Sequence, residues 1–300
     1  MISVVVPCFN SGKGLVENLQ KLQIMLRETG LEWEIIVVDD ASTDDSAARI
    51  KESGLRVKVL QNDKNRGFGV TVDAGIGVAK GEIVFILNAT DILPENSDYF
   101  KKMIAHFKNV KVFAVAALKK EDEDHGCGRI YFEKGFFLHG PAVGNKFSAW
   151  ADGGAEAVRR EYYLKIGGFD PLYKFYWEDV DLGYRAWKAG YEVFFDPKAV
   201  LVHEKAAGPI AKVYSERQRR VMNYRNQMVF SYKNADLKHL VLHCVWWPYH
   251  LAVALKNLDG DYFVALWQAV LCWPQILAAR ARQKGVTKLS DDQVLLFFQK

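Results

Sequence analysis

Cysteine is scarce in this chain. The four that occur, Cys8, Cys127, Cys244 and Cys272, stand too far apart for a zinc spacing or an obvious disulfide framework, which fits a reducing cytosol. Neither sign of charge dominates: the net charge of +4 and a pI near 8.7 give no reason to expect a nucleic-acid partner. There is no internal repeat. The chain opens directly on a strand pattern, Ile2 to Val6, so no signal peptide is expected. Long apolar runs are also missing. Leu240 to Leu255 and Tyr262 to Ala279 come nearest, but they fall short of, or barely reach, the roughly 20 residues of a bilayer span. His243, His250 and Gln268 interrupt them, and Pro248 and Pro274 would kink a helix there. Both are rich in tryptophan, and the basic run Arg280-Ala281-Arg282-Gln283-Lys284 follows the second. A hairpin in the plane of the membrane interface, with basic residues on lipid phosphates, fits better than a buried helical subdomain or a spanning pair.

What is present is a globular composition: half the residues are apolar and a quarter charged, over a length that buries a full core. Apolar runs at Ser3–Pro7, Glu34–Val38, Val57–Leu60, Glu82–Leu87 and Lys111–Ala117 read as buried strands. Between the first two, Leu15, Leu19, Leu22 and Leu26 recur on one helical face, and Gly30 closes that helix. Asp44 or Asp45 caps a helix over Ser46–Glu52, and Pro94 opens another reaching Phe107. Strand and helix alternate, so the expected fold is α/β, a mainly parallel sheet flanked by helices. Ligands of such sheets bind beyond the carboxyl ends of the strands, which places Asn10, Asp39, Asp40 and Asp91 on one rim. After Ala117 the alternation stops. Lys119–Gly128 reads as a solvated loop, Arg129–Phe137 as strand, Glu156–Ile166 and Glu178–Ala189 as helices, Tyr191–Phe195 and Ala199–His203 as short strands. Tyr214–Tyr232 reads as a basic helix leading to the hydrophobic C-terminus.

Several positions carry more than structure needs. Turn chemistry accounts for Ser42 and Asp44 in Asp39-Asp40-Ala41-Ser42-Thr43-Asp44, but it does not require two adjacent acids at a strand end. Asp40 is therefore expected to contact a ligand. Asn65-Arg66-Gly67-Phe68-Gly69 would let backbone N–H groups and Arg66 approach a phosphate, although such turns also arise for conformational reasons alone. Leu87-Asn88-Ala89-Thr90-Asp91 ends a strand where an Asp-X-Asp metal motif would fall, with Asp91 the carboxylate, Asn88 a weaker ligand, and an N-cap role the alternative. In Trp177-Glu178-Asp179-Val180-Asp181, Asp181 pairs at i, i+4 with Arg185 and is expected to form a surface or supporting salt bridge. No local partner claims Asp179, which becomes the general-base candidate, with Glu178 orienting it or holding an acceptor hydroxyl. His203 closes a strand after this acidic helix and is a candidate metal ligand.

In their order and spacing these motifs resemble the family 2 inverting glycosyltransferases of the GT-A fold, rhamnosyl- and galactofuranosyl-transferase-like members above all. The resemblance runs from Ile2 to about Asn234. It begins with Val4-Val5-Val6-Pro7-Cys8-Phe9-Asn10 and continues through the Asp39, Asn65 and Asn88 segments. Ile166-Gly167-Gly168-Phe169-Asp170, the Trp177–Leu182 segment, His203 and Arg225-Asn226-Gln227 complete it. It implies a nucleotide-sugar site of Pro7, Phe9, Asn10, Asp39, Asp40, Arg66, Gly67, Asn88 and Asp91. An acceptor site of Trp150, Gly153, Gly154, Trp177 and Glu178 follows, with the aromatic rings stacking on sugar unless core packing claims them. Mg²⁺ or Mn²⁺ would sit at Asp91 and His203. Two departures stand out: the family's first and middle acids fall at Asn88 and Thr90, which shifts coordination to Asp91 and His203, and Asp73 stands where asparagine is usual.

The implied protein has a catalytic domain over 1–235, with a nucleotide-sugar half (1–117) and an acceptor half (129–210). A hydrophobic helical extension, 236–300, follows. The implied reaction is in-line, inverting transfer of a hexosyl or deoxyhexosyl group from a nucleotide-diphosphate sugar to a glycan or lipid-linked acceptor. The expected place is the inner face of the cytoplasmic membrane. Two other readings remain at this level: a sugar-1-phosphate nucleotidyltransferase, for which Asn10-Ser11-Gly12-Lys13-Gly14 is only a partial phosphate loop, and a binding protein of the same fold that has lost catalysis.

Overall fold

The computed structural model describes residues 1–299 except 13, 90, 121–124, 143, 145 and 204–213, and describes His203 by its backbone alone. Lys13, Thr90 and part of the Lys119–Gly128 loop thus lie outside the described residues, as does the His203 side chain.

Three layers surround one eight-stranded sheet of order β3-β2-β1-β4-β9-β6-β10-β5. The strands are β1 (Ile2–Cys8), β2 (Trp33–Asp39), β3 (Lys58–Gln61), β4 (Ile83–Leu87), β5 (Ile92–Pro94), β6 (Val112–Lys120), β9 (Ala155–Arg159) and β10 (Glu192–His203). A separate antiparallel hairpin joins β7 (Gly128–Glu133) to β8 (Phe136–Pro141). β1 pairs in parallel with both β2 and β4, and β6 with β10, while β9 runs antiparallel between β4 and β6. β1 is buried along its whole length because both faces are covered. Val4 and Val6 pack with the leucines of α1 (Gly14–Glu28) and with Phe100 and Met103 of α4 (Asp98–His106). Val5 packs on the opposite face with Val72 and Ile76 of α3 (Phe68–Val78). Period-two alternation thus feeds two cores, one on each side of the sheet.

The first helix and α2 (Ser46–Glu52) have the bounds expected from the leucine spacing and the acidic cap; Asp44 Oδ1 accepts from the Ser46 N–H at 3.1 Å. Elsewhere the structure corrects the reading. Pro94 opens no helix; it ends β5, an edge strand where a missing N–H is tolerated, and α4 begins at Asp98. Arg129–Phe137 is broken by a two-residue turn at Lys134 and Gly135, with φ of 46° and 81°. Glu156–Ile166 is half strand: 155–159 slots between two strands, and only Arg160–Ile166 (α5) is helical. Burial on both sides overrides the helical leaning of Glu, Ala and Arg. The two short strands at 191–203 are one, with an irregular step between Asp196 and Val200.

The remaining helices are α6 (Glu178–Lys188), α7 (Glu216–Asn234), α8 (Leu237–Lys256), α9 (Gly260–Leu271), α10 (Trp273–Gln283) and α11 (Asp291–Leu295). The C-terminus returns to α6. Asp291 accepts from Tyr184 Oη at 2.7 Å, Lys188 Nζ at 2.5 Å and the Asp236 N–H at 2.6 Å, and Phe297 and Phe298 pack on Trp187. Asp236, His239 and Asp291 form a cation-sized group. Their oxygens are nevertheless taken up by protein donors, and the group fastens the tail. Asp73 finds its partners in the Tyr163 hydroxyl (2.6 Å) and the Phe169 N–H (3.2 Å), tying α3 to the Gly167–Phe169 turn. Burial pushes its carboxyl up.

Asp181 is no surface salt bridge. It is fully buried and accepts from Arg185 Nε (2.7 Å), Lys233 Nζ (2.7 and 2.8 Å), Asn234 Nδ2 (2.8 Å) and Tyr173 Oη (3.2 Å). Burial alone would raise this carboxyl, but the charges of Lys233 and Arg185 outweigh it and hold the pKa at about 2. Lys233 also reaches Asp170 at 2.7 Å. We predict that Lys233→Met, which leaves two buried carboxylates with one cation, costs about 3–5 kcal/mol in urea unfolding. A loss below about 1 kcal/mol would show that the network does not hold α6 to α7.

Candidate active site

The carboxyl ends of β1, β2 and β4 open on a cavity of about 160 Å³ whose walls include Pro7, Phe9, Asp40, Gly67, Asn88 and Phe175. Its shape depends on unusual backbone. Asn10 and Ala41 have φ of 49° and 60°, and Asn10 Oδ1 accepts the Thr43 N–H at 2.8 Å, locking the ends of β1 and β2 together. Asp40 grips the next loop: Oδ1 accepts from Asn62 Nδ2 (2.7 Å) and the Arg66 N–H (2.8 Å), Oδ2 from the Gly67 N–H (2.9 Å). Gly67 has φ of 86°, which an L side chain rarely adopts, and starts α3. The structure brings Pro7, Phe9, Asp40, Gly67 and Asn88 to one cavity, with Arg66 exposed beside it. Asp39 is not part of that wall: it is wholly buried and accepts from Gln61 Nε2 at 3.0 Å and from Ser42.

Asn88 links this cavity to the acceptor half. Its N–H donates to the Gly154 carbonyl (2.8 Å), and its Nδ2 to Asp91 Oδ1 (2.8 Å). A Cβ on Gly154 would lie 3.2 Å from the Asn88 Cβ, so the small residue permits the approach. Asp91 precedes β5, and β5 pairs Ile92 with His203. A strand end distant in sequence therefore arrives one residue from Asp91. Carboxylate plus imidazole is a donor pair that suits Mg²⁺ or Mn²⁺ completed by phosphate oxygens; of His203 only the backbone is described.

The acidic helix start is approached through strained backbone. Tyr176 and Trp177 have φ of 64° and 73° in succession, a costly conformation for bulky residues. Fully buried Asn226 compensates: its Nδ2 donates to the carbonyls of Phe175 (2.7 Å) and Tyr176 (2.9 Å). Trp177 Nε1 donates to Asn223 Oδ1 at 2.8 Å. The Trp177 ring, expected to stack on an acceptor, is buried at 4% exposure between His139 and Phe230. Core packing claims it. Trp150 stays partly exposed, its ring edge-on to His139.

Glu178 and Asp179 sit in a group of four acids. Burial, then the charge of Asp152, raises Glu178 to about 7. Burial, then Glu178 and Asp152, pushes Asp179 well above the usual carboxylate range, and Lys119 offsets part of this. Glu178 Oε2 is buried without a hydrogen-bond partner among the described residues. Asp152 accepts from Lys119 Nζ at 2.5 Å and from the Gly154 N–H at 3.2 Å. Glu156, 1% exposed, is raised well above its ordinary value by burial and then by Asp179 and Asp152. Lys119, Asp152 and Glu156 escaped the sequence reading. The signals were faint: an acid just before Gly153-Gly154, and a lone Glu inside an apolar strand. Chemically, the group supplies a desolvated carboxylate with enhanced basicity.

Comparison with known proteins bears on the family and the fold. Residues 3–167 match the family model described as Glycosyl transferase family 2, and residues 133–280 match Glycosyl transferase family group 2. Glycosyltransferase GlyG of Streptococcus pneumoniae is 42% identical over 99 residues, 32% of this chain and 32% of that protein. Dolichol-phosphate mannosyltransferase of Pyrococcus furiosus is 30% identical over 118 residues, 39% of this chain and 32% of its own length. The chain thus spans about a third of the length of these curated relatives. Among solved structures, mannosyltransferase PcManGT from Pyrobaculum calidifontis, in complex with GDP-Man and Mn²⁺, superposes with a TM-score of 0.57 at 17% identity, covering 100% of this chain and 88% of that one. TarS 1-349 of S. aureus with UDP-GlcNAc gives 0.59 at 18% identity, covering 94% and 88%. At these identities the likeness establishes the GT-A fold.

Because Glu178 and Asp179 both titrate above their unfolded values, stability falls as pH rises from the ordinary carboxylate range toward 7, and the charged base gains population over the same rise. We predict that carboxyl-carbon NMR finds Glu178 titrating near 7 and that Glu178→Gln lowers the Asp179 titration. An Asp179 titrating near 4 in the unaltered protein would contradict the burial and charge argument.

Proposed function

The chain belongs to glycosyl transferase family 2, and from that premise we propose a metal-dependent, inverting transfer of a hexosyl or deoxyhexosyl group from a nucleotide-diphosphate sugar to an acceptor hydroxyl. The observation that carries this reading is the raised Asp179 carboxylate, which feels the charge of Asp152, itself tied through Gly154 to Asn88 in the cavity wall. Asp179 takes the acceptor proton as the acceptor oxygen bonds to the anomeric carbon from the face opposite the leaving group. The bond from that carbon to the diphosphate breaks, its electron pair stays with the phosphate oxygen, and the anomeric configuration inverts. Asp91 and His203 would hold Mg²⁺ or Mn²⁺, which when bound neutralises charge on the departing diphosphate. Asp40, through Arg66 and Gly67, keeps the loop amides in place at the donor cavity. Gly153 and Gly154 let the Phe68 and Phe169 rings and Asn88 pack close to the chain beside Trp150, the expected acceptor side, and Glu178 shares the proton-transfer site.

The proposed catalytic domain is 1–235, with 236–300 as its extension. Relatives named for undecaprenyl-phosphate and dolichol-phosphate transfer support a lipid-linked glycan or cell-surface polysaccharide precursor as acceptor. Among the described residues, 16 of the 24 large apolar side chains left exposed lie between Leu237 and Phe297. That concentration favours peripheral contact with the inner face of the cytoplasmic membrane. Among the described residues no single helix is long and apolar enough to cross a membrane; α9 and α10 pass that test only as a pair bent by 59°.

Two measurements test this. With a nucleotide-sugar panel and Mn²⁺, Asp179→Asn is expected to lower transfer by about 10²–10⁴-fold while nucleoside-diphosphate binding persists; undiminished transfer would remove Asp179 from its role. In vesicles of phosphatidylglycerol and phosphatidylethanolamine, Trp267→Asp with Leu271→Asp is expected to weaken co-sedimentation by about tenfold or more. Unchanged sedimentation would argue against this membrane face.

A further inference from the structure

The loop Pro171–Trp177 has a second side. Phe175 lines the donor cavity, whereas Leu172 and Lys174 line a separate groove of about 610 Å³ against α7 and α9. Of the residues that line this groove, Lys174, Arg217 and Arg225 are cationic and none is acidic. Arg217 and Arg220 both pair with Asp261, and Asp259 adds its charge beside Arg220, so the positive charge of the groove rests on Lys174 and Arg225. The bonds of Arg225 go to neutral acceptors: the Leu172 carbonyl, Asn226 Oδ1 and Cys272 Sγ. The same groove is also lined by apolar side chains, Leu172 from the loop, Met222 from α7 and Val264 from α9. It runs out onto the exposed face of α9, where Val264 is followed by Trp267 and Leu271.

A free anion has no use for the apolar lining, and a bare hydrocarbon has none for the cations. Charge complementarity and continuity with the exposed α9 face together specify an amphiphile. We propose that this groove seats the phosphate of a lipid phosphate, with the tail leaving along α9, and that this lipid carries the acceptor. The assignment rests on the glycosyl-transfer reading and adds the place where the acceptor's lipid end is held. The loop explains the coupling: Lys174 grips the phosphate on one side, Phe175 borders the donor on the other, and Glu178 and Asp179 follow directly.

The test uses the full chain and farnesyl phosphate below its micelle concentration, with farnesol and inorganic phosphate as separate controls. Binding is read by tryptophan fluorescence and by thermal shift. Farnesyl phosphate is expected to bind at least about tenfold more tightly than either control. Lys174→Glu and Val264→Asp, both at exposed positions, are each expected to weaken it about fivefold or more, with Mn²⁺-dependent nucleoside-diphosphate binding unchanged. Equal binding of inorganic phosphate would reduce the groove to an anion site, and equal binding of farnesol to an apolar patch; either overturns the proposal. So does wild-type affinity in both variants. If nucleoside diphosphates bind while farnesyl phosphate does not, the groove assignment falls and glycosyl transfer stands. If no nucleoside diphosphate binds, the underlying reading falls first.

Discussion

The carboxylate of Asp181 joins three parts of the chain that would otherwise have no reason to meet. It lies on α6, takes its cations from α6 itself and from the end of α7, and accepts a hydroxyl from the loop that precedes α6. Removing a carboxylate from water is costly, and the site tolerates it only because two cations, an amide and a phenol surround it. That requirement makes the arrangement specific: displacing α7 would strand a buried charge. With α7 fixed, Asn226 stands where it can hold the carbonyls of Phe175 and Tyr176, and the strained pair at 176–177 persists. The strain turns the chain sharply into α6, so that the first two residues of the helix meet Asp152 and the start of β9. One buried ion network thus positions a neighbouring set of acids whose own chemistry is opposite in kind.

The contrast between Asp181 and Asp179, two residues apart, follows from partners rather than from depth. Asp181 is held at about 2 because Lys233 and Arg185 compensate its burial. Asp179 is pushed up because its neighbours are Glu178 and Asp152, with only Lys119 to offset them. A salt-bridge carboxylate is a poor base; a desolvated carboxylate among like charges is a strong one. The helix puts the first on its core face and leaves the second at the mouth of the sheet.

Much of this was legible in the residues. Leucines at helical spacing mark the bounds of α1, and the i, i+4 relation of Asp181 and Arg185 separates that acid from Asp179. What escaped was set by contacts distant in sequence. β9 is a strand because it fills the gap between β4 and β6, a fact its own composition conceals. Asp152 and Glu156 join the site through that same insertion, and nothing local marks them. The hairpin at Lys134 and Gly135 was hidden because lysine is an uncommon occupant of a left-handed turn position. Trp177 looked like a sugar platform, but the fold spends its ring against His139 and Phe230.

The first of the C-terminal helices departs from the usual order of burial. In α8 the inward face carries His239 and His243, and the outward face carries Leu237, Val241, Val245, Trp246, Tyr249 and Val253. The histidines are not misplaced. His239 Nδ1 lies 2.8 Å from Asp236, which caps the same helix, and His243 Nδ1 is 2.7 Å from the Gly135 carbonyl of the β7–β8 hairpin. Polar contacts inward and apolar side chains outward suit a helix whose outer solvent is not water. The hairpin turn that the sequence hid supplies one of those inward partners, and the tail bonded to Tyr184 and Lys188 braces α6 from the same side. A helix that meets the hairpin through a polar group can thus present an apolar surface while the tail beside it stays bonded to α6, the element that carries Asp179.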